Sequence, residues 1–135
     1  MPHPTNEPLV APRPARPRSL NLFRLRFPVG AMCSFAHRVS GVLLALFLPV
    51  AIYALRRSLD GQSGYAAITG LLSSSAARAL VVLFLWALAQ HVLAGARHLL
   101  MDIDVGSSLT VARRSAWSVN LLGLALALLA LGAIW

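Results

Sequence analysis

The eighteen residues from Ala79 to Ala96, ALVVLFLWALAQHVLAGA, carry no charge and are bounded by Arg78 and Arg97. A helix crosses the hydrocarbon of a bilayer with roughly 20 apolar residues, within a range near 17–25, so this stretch reads as a membrane span. Two further runs read the same way. Seventeen charge-free residues, Val39 to Leu55, lie between Arg38 and Arg56, and twenty-one, Ser115 to Trp135, follow Arg114. The first span extends back to about Val29, because Pro28 suits the first position of a helix. Pro49, in its middle, is expected to kink it. Helices are therefore expected over about 29–56, 77–102 and 115–135, in an all-α integral membrane fold with three transmembrane helices.

The composition agrees. The chain has 135 residues, of which 58% are hydrophobic and 12% charged, with a mean hydropathy of +0.72. Soluble domains run near 45–50% apolar and about 25% charged, and a soluble domain this small has too little interior to hide so much apolar surface. An ordinary soluble enzyme, a disordered chain and a nucleic-acid-binding domain are excluded. The net charge of +8 comes from twelve arginines, no lysine and four acids, Glu7, Asp60, Asp102 and Asp104. In a membrane protein clustered arginine is a topology signal, because such loops stay in the cytoplasm. With three spans, the N-terminal side and the second loop share one side of the membrane. They carry nine arginines against three in the first loop, Arg56, Arg57 and Arg78. The N-terminus and the 97–114 loop are therefore expected in the cytoplasm, and Trp135 at the outer interface. The first loop also carries Asp60 and is otherwise Gly/Ser/Ala-rich. The single cysteine, Cys33, excludes an internal disulfide and a multi-cysteine zinc or iron–sulfur site. Residues 1–20 hold six of the eight prolines, three arginines and no apolar run. They read as a proline/arginine-rich tail rather than a signal peptide, leaving residues 21–135 as the three-helix membrane domain.

Ionisable groups inside a membrane are costly and are functional candidates by default. One cluster is Ser34-Phe35-Ala36-His37-Arg38-Val39-Ser40-Gly41. At 100° per residue Ser34, Arg38, Gly41 and Ala45 form one stripe, with His37 to its side. A snorkelling arginine and a capping serine at a helix entrance would account for it on spacing alone. The other cluster runs from His91 to Asp102. Here His91, Gly95, His98 and Asp102 share a narrow stripe on an otherwise apolar helix, and His98 and Asp102 are one turn apart, close enough to pair. Gly95 removes a side chain where something large could lie against the backbone. His91 lies six residues deeper than Arg97, about 9 Å along the axis, and Gln90 beside it could donate to a neighbouring helix. A buried histidine often just finds a hydrogen-bond partner, but imidazole is also a preferred axial ligand of haem iron. The topology brings both clusters to the cytoplasmic half of the bilayer. Two arginines and two histidines there suit anionic groups such as haem propionates, and the deeper His91 suits the iron. A six-coordinate bis-histidine haem would need its second ligand from another chain.

Arg26-Phe27-Pro28, then Ser34-x-x-His37-Arg38-x-Ser40-Gly41, then His91-x-x-x-Gly95-x-Arg97-His98-x-x-x-Asp102 resemble the cytochrome b membrane-anchor subunits of succinate dehydrogenase (respiratory complex II). Arg16-Pro17 and Leu20-Asn21-Leu22 are similar to that family's N-terminal signature, and the resemblance covers roughly residues 16–135. It implies that His91 is the haem b axial ligand, with haem b shared with a second small anchor subunit. It places His37, Arg38 and His98 near the haem propionates, and Ser34 and Arg38 in a ubiquinone pocket, with Arg97 and Asp102 as supporting contacts. It implies no catalytic residue for succinate. The chain would be a non-flavin subunit that anchors the iron–sulfur and flavoprotein subunits to a bacterial inner membrane, with no nucleic-acid partner. An anchor of a quinol:fumarate reductase is the alternative within that architecture. A small transporter subunit using His91 and Asp102 as a proton relay is another, but it leaves the first cluster unexplained.

Overall fold

The computed structural model describes residues 28–135. The tail over 1–20 and the motif residues Arg16-Pro17, Leu20-Asn21-Leu22 and Arg26-Phe27 lie outside the described residues. Four helices follow in order: α1 (Val29–Ser58), α2 (Gln62–Leu72), α3 (Ser75–Asp102) and α4 (Leu109–Ile134). No strand occurs among the described residues. Helices α1, α3 and α4 have 30, 28 and 26 residues. At 1.5 Å per residue each exceeds the ~30 Å hydrocarbon core of a bilayer, and each is apolar enough to cross it. The protein is an all-α integral membrane protein. Helix α3 packs against both α1 and α4, and α1 also touches α4.

The large aliphatic side chains face outward and the small ones inward. Leu99 and Leu129 are 70% and 69% exposed, whereas Ala87, Ala94 and Ala116 are fully buried. Lipid chains are as apolar as leucine, so leucine gains nothing by facing protein, while small residues let helix backbones approach. The inner seam is accordingly thin: Cys33 and Val29 of α1 meet Ala94 of α3 and Ala116 and Val119 of α4.

The ends of the helices correct the sequence reading in three places. Pro28 precedes α1 as its cap in extended backbone, rather than being its first helical residue, and accepts hydrogen bonds from the amides of Ala31 and Met32. The helix then runs through Pro49, whose missing N–H leaves one turn bond unmade. Helix α4 begins at Leu109, not near 115. Asp104 and Gly106, with φ of 61° and 76°, turn the chain out of α3, Ser108 caps α4, and the helix includes Arg113 and Arg114. Loss of charge marks what can enter lipid, but not where a helix starts, since arginine is a good helix former. The first loop contains the additional helix α2. Tyr65, Ile68 and Leu72 recur there at helical spacing. Gly61, with φ of 88°, turns the chain into α2, and Gly64 packs on the Arg57 carbonyl where any Cβ would collide. At 11 residues α2 is about 16 Å long, too short to span. With Phe47 and Ala51 of α1 and Val81 of α3, its Ile68 and Leu72 line an open apolar pocket of about 340 Å³.

Candidate functional site

Three histidines from two helices come together where α1 begins and α3 ends. The His37 and His91 rings stack with centroids 4.3 Å apart and planes 24° apart. The His98 ring lies 5.1 Å from that of His37. His91 is the deepest of the three, and its surroundings on α1 are specific. Its Nδ1 lies 3.2 Å from the His37 carbonyl oxygen and 3.4 Å from the Ser40 hydroxyl. Ser40 is fully buried, and its hydroxyl donates to the same carbonyl at 2.8 Å. With that proton committed, the Ser40 oxygen is left to accept, so both neighbours of Nδ1 are acceptors and Nδ1 carries the ring proton. The ring is then in the tautomer whose Nε2 lone pair is available. Among the described residues that nitrogen has no hydrogen-bond partner.

Two glycines make this packing fit. A Cβ on Gly41 would stand 3.1 Å from His91 Cε1 and 3.4 Å from Nδ1, so the imidazole lies directly on the Gly41 backbone. A Cβ on Gly95 would stand 3.4 Å from His37 Nε2. The large group over Gly95 in this structure is the His37 ring.

The other candidate residues divide. Ser34 is half-buried and Arg38 exposed, and neither side chain has a hydrogen-bond partner among the described residues. The stripe read from Ser34, Arg38 and Gly41 does not face α3 as a unit. The face of α1 turned to α3 is His37, Ser40 and Gly41, and Arg38 lies outside it. Arg97 sits apart from the histidines. It is 9% exposed, and its Nε and Nη2 donate at 3.0 Å to the Ser115 hydroxyl and the Ala112 carbonyl of α4. Asp102 ends α3 exposed to the outside. The pairing of His98 with Asp102 that their spacing allowed is not made. The one ion pair among the described residues is Arg57–Asp60. Gln90 does donate to a neighbouring helix, to Asn120 Oδ1 at 3.0 Å.

Sequence reasoning named Ser40 only as part of a motif, put Gly41 on the stripe with Ser34 and Arg38, and passed over Asn120 and Ser115. A signal for Asn120 was present: an amide inside the twenty-one-residue charge-free run needs a partner in lipid.

The donor set fits a haem iron. A ligating imidazole normally donates its other ring N–H to a carbonyl or carboxylate, which fixes tautomer and orientation and raises ligand basicity. His91 has that arrangement before any metal is considered. His98 lies two turns along α3 from His91, and the His37 ring is stacked on His91 itself, at the end of the bundle that also carries Arg38.

Residues 12–130 match the family model described as succinate dehydrogenase/fumarate reductase transmembrane subunit. A relative from Coxiella burnetii, named succinate dehydrogenase cytochrome b556 subunit, is 36% identical over 105 residues, covering 77% of this chain and 84% of the relative. Three apolar spans, paired histidine-bearing helices and a match across nearly the whole chain converge, and the chain belongs to the family of succinate dehydrogenase/fumarate reductase transmembrane subunits, as a cytochrome b membrane anchor.

Proposed function

We propose that this subunit holds haem b through His91 Nε2, shares it with a second small anchor subunit, and contributes Ser34 and Arg38 to a ubiquinone-reduction site in a succinate dehydrogenase of a bacterial inner membrane. The observation that carries the reading is the state of His91, with Nδ1 occupied by the His37 carbonyl and the Ser40 hydroxyl and Nε2 left over. A second ligand to the iron would come from the partner, because His37 and His98, the other histidines at this end, would serve the propionates together with Arg38. The iron–sulfur and flavoprotein subunits dock at the same end. Succinate oxidation rather than fumarate reduction is favoured by the name of the Coxiella relative.

In this reading the Ser34 hydroxyl donates to a carbonyl oxygen of the quinone, and Arg38 stabilises the negative charge that grows on that oxygen as electrons arrive. Arg38 also carries charge toward a propionate. Reduction takes up two protons, so the site must reach water. The arginine asymmetry puts the N-terminal side and the 97–114 loop in the cytoplasm, which opens the site to that compartment. Haem b, when bound, supplies a one-electron carrier beside the quinone.

The test is the haem spectrum of the complex carrying His91→Leu, which removes the ligand at little change in volume. The low-spin signal is expected to be lost or changed in kind, whereas His98→Leu keeps it with a shifted potential. A wild-type spectrum and potential in His91→Leu, with loss of haem in His98→Leu, would reverse the assignment.

A further inference from the structure

Adjacent residues of α3 face different helices. Gln90 and Arg97 are seven apart, as are Phe84, His91 and His98, and seven residues are close to two turns. Each set shares a face, and the two faces are about 100° apart around the axis. The Gln90–Arg97 face is turned to α4, through the hydrogen bonds to Asn120, Ser115 and Ala112. The Phe84–His91–His98 face is turned to α1, through the Phe47–Phe84 ring pair and the histidine contacts.

Apolar surface does not set the rotation of α3, and the Arg97 contacts to α4 hold only its C-terminal end on the same face as Gln90. Leucine, valine and alanine cover it on all sides, and in lipid apolar surface gains nothing by facing protein. A polar group does discriminate between rotations, because turned into hydrocarbon it loses its partner and finds no water. Gln90 is 2% exposed and lies mid-span, away from both interfaces. Its Nε2 donates to Asn120 Oδ1 at 3.0 Å, and its carbonyl end rests on Gly123, where a Cβ would collide with it. A rotation by one residue position takes the Gln90 amide off α4, toward α1 in one direction and away from both helices in the other, and strands the amide of Asn120 either way.

We propose that the Gln90–Asn120 amide pair, seated on Gly123, sets the rotation of α3 and so aims His91 at α1. Gln90 and Asn120 are positioning residues. The rotational role stands on this geometry alone, and only its consequence for haem rests on the reading of His91 as the ligand.

The test uses membranes containing the whole complex, with Cys33→Ser as background and Phe47→Cys and Phe84→Cys added. The two rings meet edge-on with centroids 5.7 Å apart, so a short bifunctional thiol reagent joins the cysteines, read as thiols protected from a later mass tag. Gln90→Leu and Asn120→Leu are each expected to lower the yield by about threefold, the population change set by one interhelical hydrogen bond in a membrane. The exchanged pair, Gln90→Asn with Asn120→Gln, is expected to restore it. The low-spin haem signal, measured with the native phenylalanines, should shift in the leucine variants and recover in the exchanged pair. Wild-type cross-linking in both leucine variants overturns the proposal, as does an exchanged pair no better than they are. Cross-linking that falls and recovers while the haem signal never moves upholds the rotational role and counts against His91 as ligand.

Discussion

Replacing Gly41 by alanine tests the packing of His91 with a single methyl group. Any Gly→Ala change inside a helix gains about 0.5–1 kcal/mol from the backbone, so the effect of the contact must be read against a control. Gly95→Ala supplies it, being also helical and also facing an imidazole across the α1–α3 seam. The two sites differ in clearance. At Gly95 the new carbon would meet His37 Nε2 at 3.4 Å, an ordinary contact. At Gly41 it would meet His91 Cε1 at 3.1 Å, well inside the ~3.5–4.0 Å optimum for two carbons. The His91 ring must back away from α1, and both acceptors of its Nδ1 proton are on α1. The Nδ1 to His37 oxygen distance is already 3.2 Å, at the long end of the N–H···O range, so retreat breaks that bond. Overpacking costs about 1–3 kcal/mol, which outweighs the backbone gain. Gly95→Ala should leave the thermal stability of the solubilised complex unchanged or slightly raised, and Gly41→Ala should fall below it by about 1–3 kcal/mol. As the proposed haem ligand, His91 would become less basic on losing the hydrogen bond, which favours ferrous iron. An interhelical bond of about 0.6 kcal/mol then corresponds to a rise in haem midpoint potential on the order of 25 mV, at 59 mV per tenfold for one electron. Redox titration of the two variants beside wild type measures it. Equal stability and equal potential in the two alanine variants would refute the packing argument.

Ser34→Ala and Arg38→Leu should each cut quinone reduction by roughly tenfold or more, the scale of one lost hydrogen-bond donor at a developing charge, while dye-linked succinate oxidation by the same complex is retained. Equal loss of both activities would mean failed assembly, and unchanged quinone reduction would remove both residues from the site. Single cysteines at Ser63 and Ser107, in a Cys33→Ser background, should be labelled from outside at Ser63 and not at Ser107; the opposite pattern would invert the topology.

Much was legible from the residues one at a time. Charge-free runs of spanning length, each bordered by arginine, are sufficient for three membrane helices, because hydrocarbon accepts no unpaired charge and the helix is the one open-ended way to satisfy the backbone in it. The histidine stripe on α3 was legible for the same reason, since periodicity is a local property. The start of α4 and the presence of α2 were not read, because both lie where the chain leaves the hydrocarbon and hydropathy stops constraining it. The left-handed turns at Gly61, Asp104 and Gly106 decide there instead.

What the sequence determined by itself is therefore the class of the protein, its spans, the asymmetry of its arginines between the two sides, and the residues worth suspecting. What only the tertiary structure decided is which of them meet. His98 and Asp102 have the spacing to pair and do not, because Asp102 ends exposed while His98 faces His37. Arg97 shares a motif with the histidines and faces α4 instead. Ser40 and Gly41 mattered more to His91 than anything on its own helix, although they are some fifty residues away. A spacing rule tells which side chains share a face of one helix, but the neighbour to which that face turns depends on polar pairs and small residues contributed by other helices, and those pairings exist only once the bundle has formed.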